Sequence, residues 1–427
     1  MKKYTELSKD ELLSLKDSLN REYEEARAKG LSLDMSRGKP SPYQLDREMD
    51  FASCMENVTD YNSENGMDCR NYGVLMGIPE CRRLFADMME VKPENVFIFG
   101  NSSLNIMYDC VLRSMQFGVL GSTPWCKLDK VKWICPAPGY DRHFAITEQM
   151  GIEMITVPMK ADGPDMDMIE ELVASDSSIK GMWCIPKYSN PTGYTCSDET
   201  VRRLASMKTA AEDFRIYWDN AYVVHDLYED KSDKLLEILA ECEKAGNPNR
   251  VYEFCSTSKV TFPGAGVAAF ISSIENLEAV KKYVTIQTIG HDKTNQLKHV
   301  HFLKNNAGIR KQMMRHASIM RPKFQMVDRM LTEGLDGLGI GSWTKPNGGY
   351  FICFDSLPGC AKSIVSKCKE AGVTLTGAGA TYPYKKDPED KNIRIAPSYP
   401  SEEELKAAAE LFVLCVKLVS VEKLLEA

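Results

Sequence analysis

VYEFCSTSK, Val251 to Lys259, decides how this chain is read. Its first five residues form a short apolar run of strand character, and a turn of small hydroxyl residues ending in one lysine follows at once. Four runs of the same kind lie upstream: VFIF (96–99), KWICP (132–136), GMWCIP (181–186) and RIYW (215–218). The segments between them are long enough for crossover helices, so the spacing predicts an α/β fold with a mainly parallel sheet. In such a sheet ligands gather beyond the carboxyl ends of the strands, and each run here is followed by residues with chemistry to offer.

After VFIF, Gly100-Asn101-Ser102-Ser103-Leu104-Asn105 opens a helix whose free N–H groups and positive end suit a phosphate. A capped strand-to-helix turn is the plainer reading of that stretch alone. After KWICP, the turn Ala137-Pro138-Gly139-Tyr140 presents an aromatic ring. After GMWCIP comes Asn190-Pro191-Thr192-Gly193, with an amide able to hold a ring oxygen. RIYW is followed by Asp219-Asn220-Ala221-Tyr222, a carboxylate for a ring nitrogen and a phenol three residues on. Lys259 completes the series, since a lysine in an apolar site can form a Schiff base. Each feature alone has a structural explanation. Together, at five strand ends, they describe a pyridoxal phosphate site.

Composition narrows the class. The chain has 427 residues, 43% of them hydrophobic, enough for a large core and more than one lobe. A net charge of −7 with dispersed basic residues gives no attraction to nucleic acid. No apolar run approaches the roughly 18 residues of a membrane span, and no export signal follows Met1, so a cytoplasmic protein is expected. The fourteen cysteines lack any C-x-x-C pair and read as reduced, mostly buried thiols. His299 and His301 lack a third ligand at matching spacing and read as helix-surface histidines, so no metal is expected.

The chain ends read as helices. Ser8 and Glu11 form a capping-box pattern before Leu12, Leu15, Leu19 and Ala26, with Gly30 as a stop. Ile309, Met313, Ala317, Met320, Phe324, Val327 and Leu331 recur as on one long helix, which Pro322 is expected to kink. A last helix begins at Ser401, with Glu404 three residues on. The expected division is an N-terminal segment of a small domain at 1–50, a large cofactor-binding domain at 51–308, and a connecting helix with the rest of the small domain at 309–427.

With these motifs in place, the chain resembles the class I/II, fold type I aminotransferases over nearly its whole length. Tyr72-Gly73, Gly77-Ile78-Pro79-Glu80 and Arg83 resemble the region before the first core strand. Asn190-Pro191-Thr192-Gly193, Asp219-x-x-Tyr222 and Ser256-x-x-Lys259 match the cofactor motifs in order, and Pro346-Asn347-Gly348-Gly349-Tyr350 and Arg394-Ile395-Ala396-Pro397 match the C-terminal lobe. The runs at 36–41 and 292–299 look closer still to a divergent bacterial, aspartate aminotransferase-like branch. The resemblance implies a seven-stranded, mainly parallel sheet between helices, with a smaller α+β domain built from both chain ends. It implies that Lys259 carries the cofactor and moves the substrate Cα proton, that Asp219 keeps the ring nitrogen protonated, and that Asn190 and Tyr222 bond the ring oxygen. Tyr140 stacks on the ring in this scheme. Ser102, Ser103, Leu104 and Ser256 hold the phosphate, reached also by Tyr72 of a second subunit in a homodimer. Arg394, with Gly38 and Asn190, binds the substrate carboxylate.

One departure stands out. The family's arginine about eight residues after the lysine is absent from Phe262-Pro263-Gly264-Ala265-Gly266-Val267, so phosphate charge must be met by N–H groups, hydroxyls or a cation such as Lys293. Arg37, next to Gly38, is the candidate reader of an acidic side chain, with Lys39 as second choice; a plain salt bridge is the competing role. The leading reading is an aminotransferase for aspartate or glutamate with a 2-oxo acid partner such as 2-oxoglutarate. The alternatives are a transaminase for another amino acid, a lyase or cyclase on the same scaffold, and an effector-binding module, against which the short N-terminus argues.

Overall fold

A computed structural model describes residues 2–426. Its main sheet has eight strands, ordered Val96–Ile98, Ala268–Ile271, Val251–Ser256, Arg215–Asp219, Ile179–Cys184, Lys132–Ala137, Glu153–Lys160 and Gly163–Pro164. The five strands from Val251–Ser256 to Glu153–Lys160 are mutually parallel, and Ala268–Ile271 runs antiparallel to both its neighbours. Seven of these strands make the expected sheet. The eighth is a two-residue edge formed where the chain doubles back after Lys160.

The apolar runs are continuous because both faces of the sheet are covered. Trp133, Trp183, Tyr217, Tyr252 and Phe254 enter one core, rich in aromatic rings. Alternate residues, Ile134, Met182, Ile216 and Trp218, enter a second core on the other face. This parity sends Asp219 to the same face as Tyr217 and fixes which side of the sheet each strand end serves.

The two chain ends meet in a second lobe. Leu33–Asp34 pairs in parallel with Val373–Thr374, and a three-stranded antiparallel sheet joins Gly341–Trp343, Ile352–Ser356 and Asn392–Ile395. The helix Lys9–Ala28 starts with the capping box read from sequence: the Glu11 N–H donates to Ser8 Oγ at 3.2 Å and the Ser8 N–H to Glu11 Oε2 at 2.7 Å. Leu12, Leu19 and Tyr23 are buried in a core shared with the last helix, Glu402–Glu426, which is capped by Ser401 and Glu404 in the same way. Between the lobes one 30-residue helix, Asn306–Leu335, runs through Pro322 without interruption. Near its start Gln312 Nε2 donates to the Val260 carbonyl at 3.1 Å, and further on the Lys323 ammonium donates to the carbonyls of Ser398, at 2.9 Å, and Pro400.

All fourteen cysteines are free thiols, and twelve are buried. Among the described residues no helix is long and apolar enough to cross a membrane.

Candidate active site

The strand Val251–Ser256 ends in a tight turn. Val260 N–H and Thr261 N–H both donate to the Thr257 carbonyl, at 2.8 and 2.9 Å, closing a helical turn that carries Lys259. His299 lies beneath this turn. It is buried, donates from Nδ1 to the Asn295 carbonyl at 2.8 Å, and accepts at Nε2 from the hydroxyls of Thr257 and Thr261, both at 2.9 Å. Burial pulls its pKa down to about 4, so it is a neutral prop. The sequence expectation of two surface histidines therefore holds for exposed His301 and fails for His299, because a helix residue facing a neighbouring turn looks the same in sequence as one facing water.

Burial lowers the Lys259 ammonium below the usual lysine value, while Asp219 pulls it the other way. Its Nζ lies 4.9 Å from the Tyr222 ring centre and 5.7 Å from that of Tyr350. The Lys259 carbonyl accepts from His225 Nε2 at 3.3 Å, and burial together with Lys259 keeps that imidazole neutral. Tyr222 is itself buried, which pushes its phenol well above the usual range.

Asp219 is buried, with Oδ2 held by His143 Nε2 at 2.9 Å. His143 stacks on Trp183, ring centres 4.5 Å apart, so the imidazole is fixed from behind. Oδ1 of Asp219 has no partner among the described residues, although it is buried. Leaving a buried carboxylate oxygen unpaired is costly. Such an oxygen beside a buried lysine is what a protonated ring nitrogen would satisfy. The remaining donors also fit pyridoxal phosphate. Ser102 precedes the helix Ser103–Phe117 without using its hydroxyl as a cap, so that hydroxyl and the N–H groups of Ser103 and Leu104 are free to receive a phosphate. Ser256 Oγ joins them from the next strand, 2.8 Å from Ser258 Oγ and 3.4 Å from the Asn101 carbonyl. Tyr140 begins the helix Asp141–Gln149, edge-on to His143 at 5.0 Å; burial, Asp219 and Asp141 push its phenol up to about 12.

Where the family arginine is missing, Val267 is buried and its N–H donates to Thr257 Oγ1 at 2.8 Å. That backbone braces the lysine turn. Lys293 is buried beside Gly290 and Gly73 and forms no ion pair among the described residues. Tyr72 is 77% exposed on its own chain.

Arg394 comes from the second lobe and is buried. Nη1 donates to Asp141 Oδ1 at 3.0 Å and to Asn190 Oδ1 at 3.2 Å; Nε and Nη2 reach Thr376 Oγ1 at 3.3 and 3.2 Å. The guanidinium lies over the Phe351 ring at 4.8 Å. Gly38 touches the other side of that arrangement, since a Cβ there would fall 2.1 Å from Phe351 Cζ. Gly38→Ala is therefore expected to displace Phe351 and with it Arg394. Overpacking of this kind costs about 1–3 kcal/mol, and urea unfolding together with the KM for the amino donor will show whether it falls on stability or on binding. Arg37 pairs with Asp34 at 3.2 Å on an open surface, and Lys39 lies over the Tyr399 ring at 4.2 Å.

Sequence reasoning did not single out His143, Asp141, Thr376 or Phe351. Only His143 carried a local signal, three residues after Tyr140 and so on the same helix face.

A buried lysine and a half-satisfied aspartate at the strand ends of this fold, with free donors at a helix start and a buried arginine from the second lobe, fit a pyridoxal-phosphate-dependent transaminase. Residues 7–427 match the aspartate amino-transferase family, and the chain belongs to that family. It is 47% identical over 407 residues to the aspartate aminotransferase of Corynebacterium glutamicum, covering 95% of this chain and 94% of that one. The crystal structure of an aspartate transaminase from the same organism superposes with a TM-score of 0.96, at 45% identity over 99% of each chain. LysN, the α-aminoadipate aminotransferase of Thermus thermophilus in complex with N-(5'-phosphopyridoxyl)-L-leucine, shares the fold with a TM-score of 0.72 and 20% identity, over 94% of this chain and 95% of that one. The chain is a transaminase and its cofactor is pyridoxal phosphate.

Proposed function

We propose that the chain transfers the amino group of aspartate or glutamate to a 2-oxo acid such as 2-oxoglutarate in two successive half-reactions. The observation that carries this reading is a buried arginine, Arg394, bonded to Asn190 Oδ1 at 3.2 Å, in the same site as a buried Lys259 whose Nζ lies 4.9 Å from the Tyr222 ring centre. Pyridoxal phosphate supplies an electrophilic carbonyl and an electron-withdrawing ring that stores the amino group between half-reactions. Lys259, its pKa lowered by burial, takes up and returns the Cα proton. Asp219 holds positive charge at the ring nitrogen, with His143 fixing its angle. Asn190 and Tyr222 hold the ring oxygen.

Arg394 receives the α-carboxylate as a two-pronged donor, which requires its present acceptors, Asp141 and Asn190, to yield. Arg37 reads the distal carboxylate by leaving Asp34; an exposed pair of that kind is worth about 0–1 kcal/mol, so the exchange costs little. In this reading the protein is a homodimer, with Tyr72 completing the phosphate site of a second copy. Its domains divide at 50/51 and 308/309, in keeping with a second-lobe core drawn mainly from residues 4–35 and 320–421. Free buried thiols fit a cytoplasmic setting.

The test is the visible spectrum of the holoenzyme before and after L-aspartate is added without any oxo acid. Loss of the lysine-bound cofactor's absorption, restored by 2-oxoglutarate, is expected; a spectrum that aspartate leaves unchanged would sink the acidic donor. Arg37→Ala is expected to lower kcat/KM for aspartate by up to about 5-fold, the worth of an exposed charge contact, while sparing an apolar amino acid. Equal losses for both donors would remove Arg37 from specificity.

A further inference from the structure

The sheet has a second, chemically different space near the same strand ends. Asp219 and Ser256 face the catalytic side, while Trp218 and Glu253, paired in register, face the other. On that other side lies a cavity of about 570 Å³, within the usual range for small-molecule sites. Trp218, Val224, Met89 and Met313 contribute apolar wall, and Asn220 and Glu253 contribute polar floor.

The floor is incomplete. Glu253 is 2% exposed and Asn220 5% exposed, and their one mutual contact is Asn220 Nδ2 donating to Glu253 Oε1 at 3.4 Å. Glu253 Oε2 and Asn220 Oδ1 are buried oxygens with no partner among the described residues. Three of the other five carboxylates around the cavity are engaged: Asp226 by Tyr188 and Lys187, Asp233 by Thr195 and Asn347, and Glu237 by the N–H groups of Leu239 and Ala240. Besides Glu253, five carboxylates line the cavity against three cationic side chains, one of them Lys187 already paired with Asp226, and this acidic balance favours positive charge.

We propose that this cavity binds a small organic cation, an ammonium, amidinium or guanidinium head on an apolar body, with the head between Glu253 and Asn220. Two unpaired acceptors on touching side chains call for a donor with at least two N–H groups, and the apolar walls call for a hydrocarbon body. Burial pushes the Glu253 carboxyl well above the usual range, and an arriving cation restores its charge. The site communicates with catalysis through the chain itself. Asn220 follows Asp219 directly, and Val223 and Val224 lie between Tyr222 and His225, so an occupant touches the loop that positions two cofactor-binding residues.

Benzamidine is the probe, because its amidinium is not a primary amine that condenses with the cofactor. Calorimetric titration of the holoenzyme should give one saturable site per chain, weakened at least about tenfold by Glu253→Gln, the value of a hydrogen bond to a charged group. Val224→Phe, which narrows the cavity from its wall, should weaken it independently, and neutral benzamide should bind at least about tenfold less tightly. Both variants must retain the cofactor's visible spectrum, which shows that they fold. No saturable binding to the wild-type holoenzyme would mean that water alone fills the floor, and would overturn the proposal. Equal affinity in Glu253→Gln, or for benzamide, would overturn it as well.

Discussion

Lys259→Ala is expected to lower kcat by roughly 10²–10⁴-fold or more, the span attributable to a positioned acid–base group. No neighbour can take over the proton. The Tyr222 phenol is held far above neutrality by burial, and His225, edge-on to that ring at 5.6 Å, already uses Nε2 on the Lys259 carbonyl. The substitution also removes the amine that anchors the cofactor, so the visible spectrum of reconstituted protein should change with activity. Small primary amines added to the variant should restore part of the lost rate, because truncation leaves room beside Tyr222 and Tyr350. A variant retaining more than about a tenth of wild-type kcat would remove Lys259 from the chemistry.

Asp219→Ala is the second large effect. It strips a buried, charge-assisted pair of one partner and leaves His143 buried against Trp183. Removing one member of such a pair costs about 2–5 kcal/mol, or roughly 30- to 4000-fold in kcat/KM if it falls on the transition state. Asp219→Asn separates charge from shape, since it keeps the bond to His143 but not the negative charge on Oδ1. If the unpaired oxygen serves a protonated ring nitrogen, the asparagine variant should be nearly as impaired as the alanine variant, whereas a merely structural aspartate would tolerate it. The comparison uses kcat/KM for both variants at saturating cofactor.

The catalytic side of the sheet is legible in sequence because its strands are buried on both faces and appear as unbroken apolar runs ending in polar turns. Glu153–Lys160 and Ala268–Ile271 lack that signature. The first buries only Met154 and Val157 and carries exposed residues, Thr156 and Pro158 among them, around them; the second is four residues long, opens with two alanines and follows a Pro/Gly bend. The groups bound directly to chemistry sit at strand ends and keep their local spacing. Those that hold them do not. Asp141 meets Arg394 across 253 positions and His143 meets Asp219 across 76, so neither pairing is written in any short motif. The role of His299 is hidden for the same reason, since its partners Thr257 and Thr261 lie about forty residues earlier.

The helix Asn306–Leu335 is anchored on both sides of Pro322, by Gln312 to the lysine turn and by Lys323 to the segment after Arg394. Proline has no N–H to offer the carbonyl four residues earlier, so the rod is softest to bending near Ser318, between its two anchors. The portion beyond is about 20 Å long at 1.5 Å per residue. A flexure of about 5° there swings its tip by about 2 Å. Such a lever arm converts a small angular strain at the lysine turn into a displacement of the second lobe's core, which Leu331 and Leu335 enter, without loss of helical continuity.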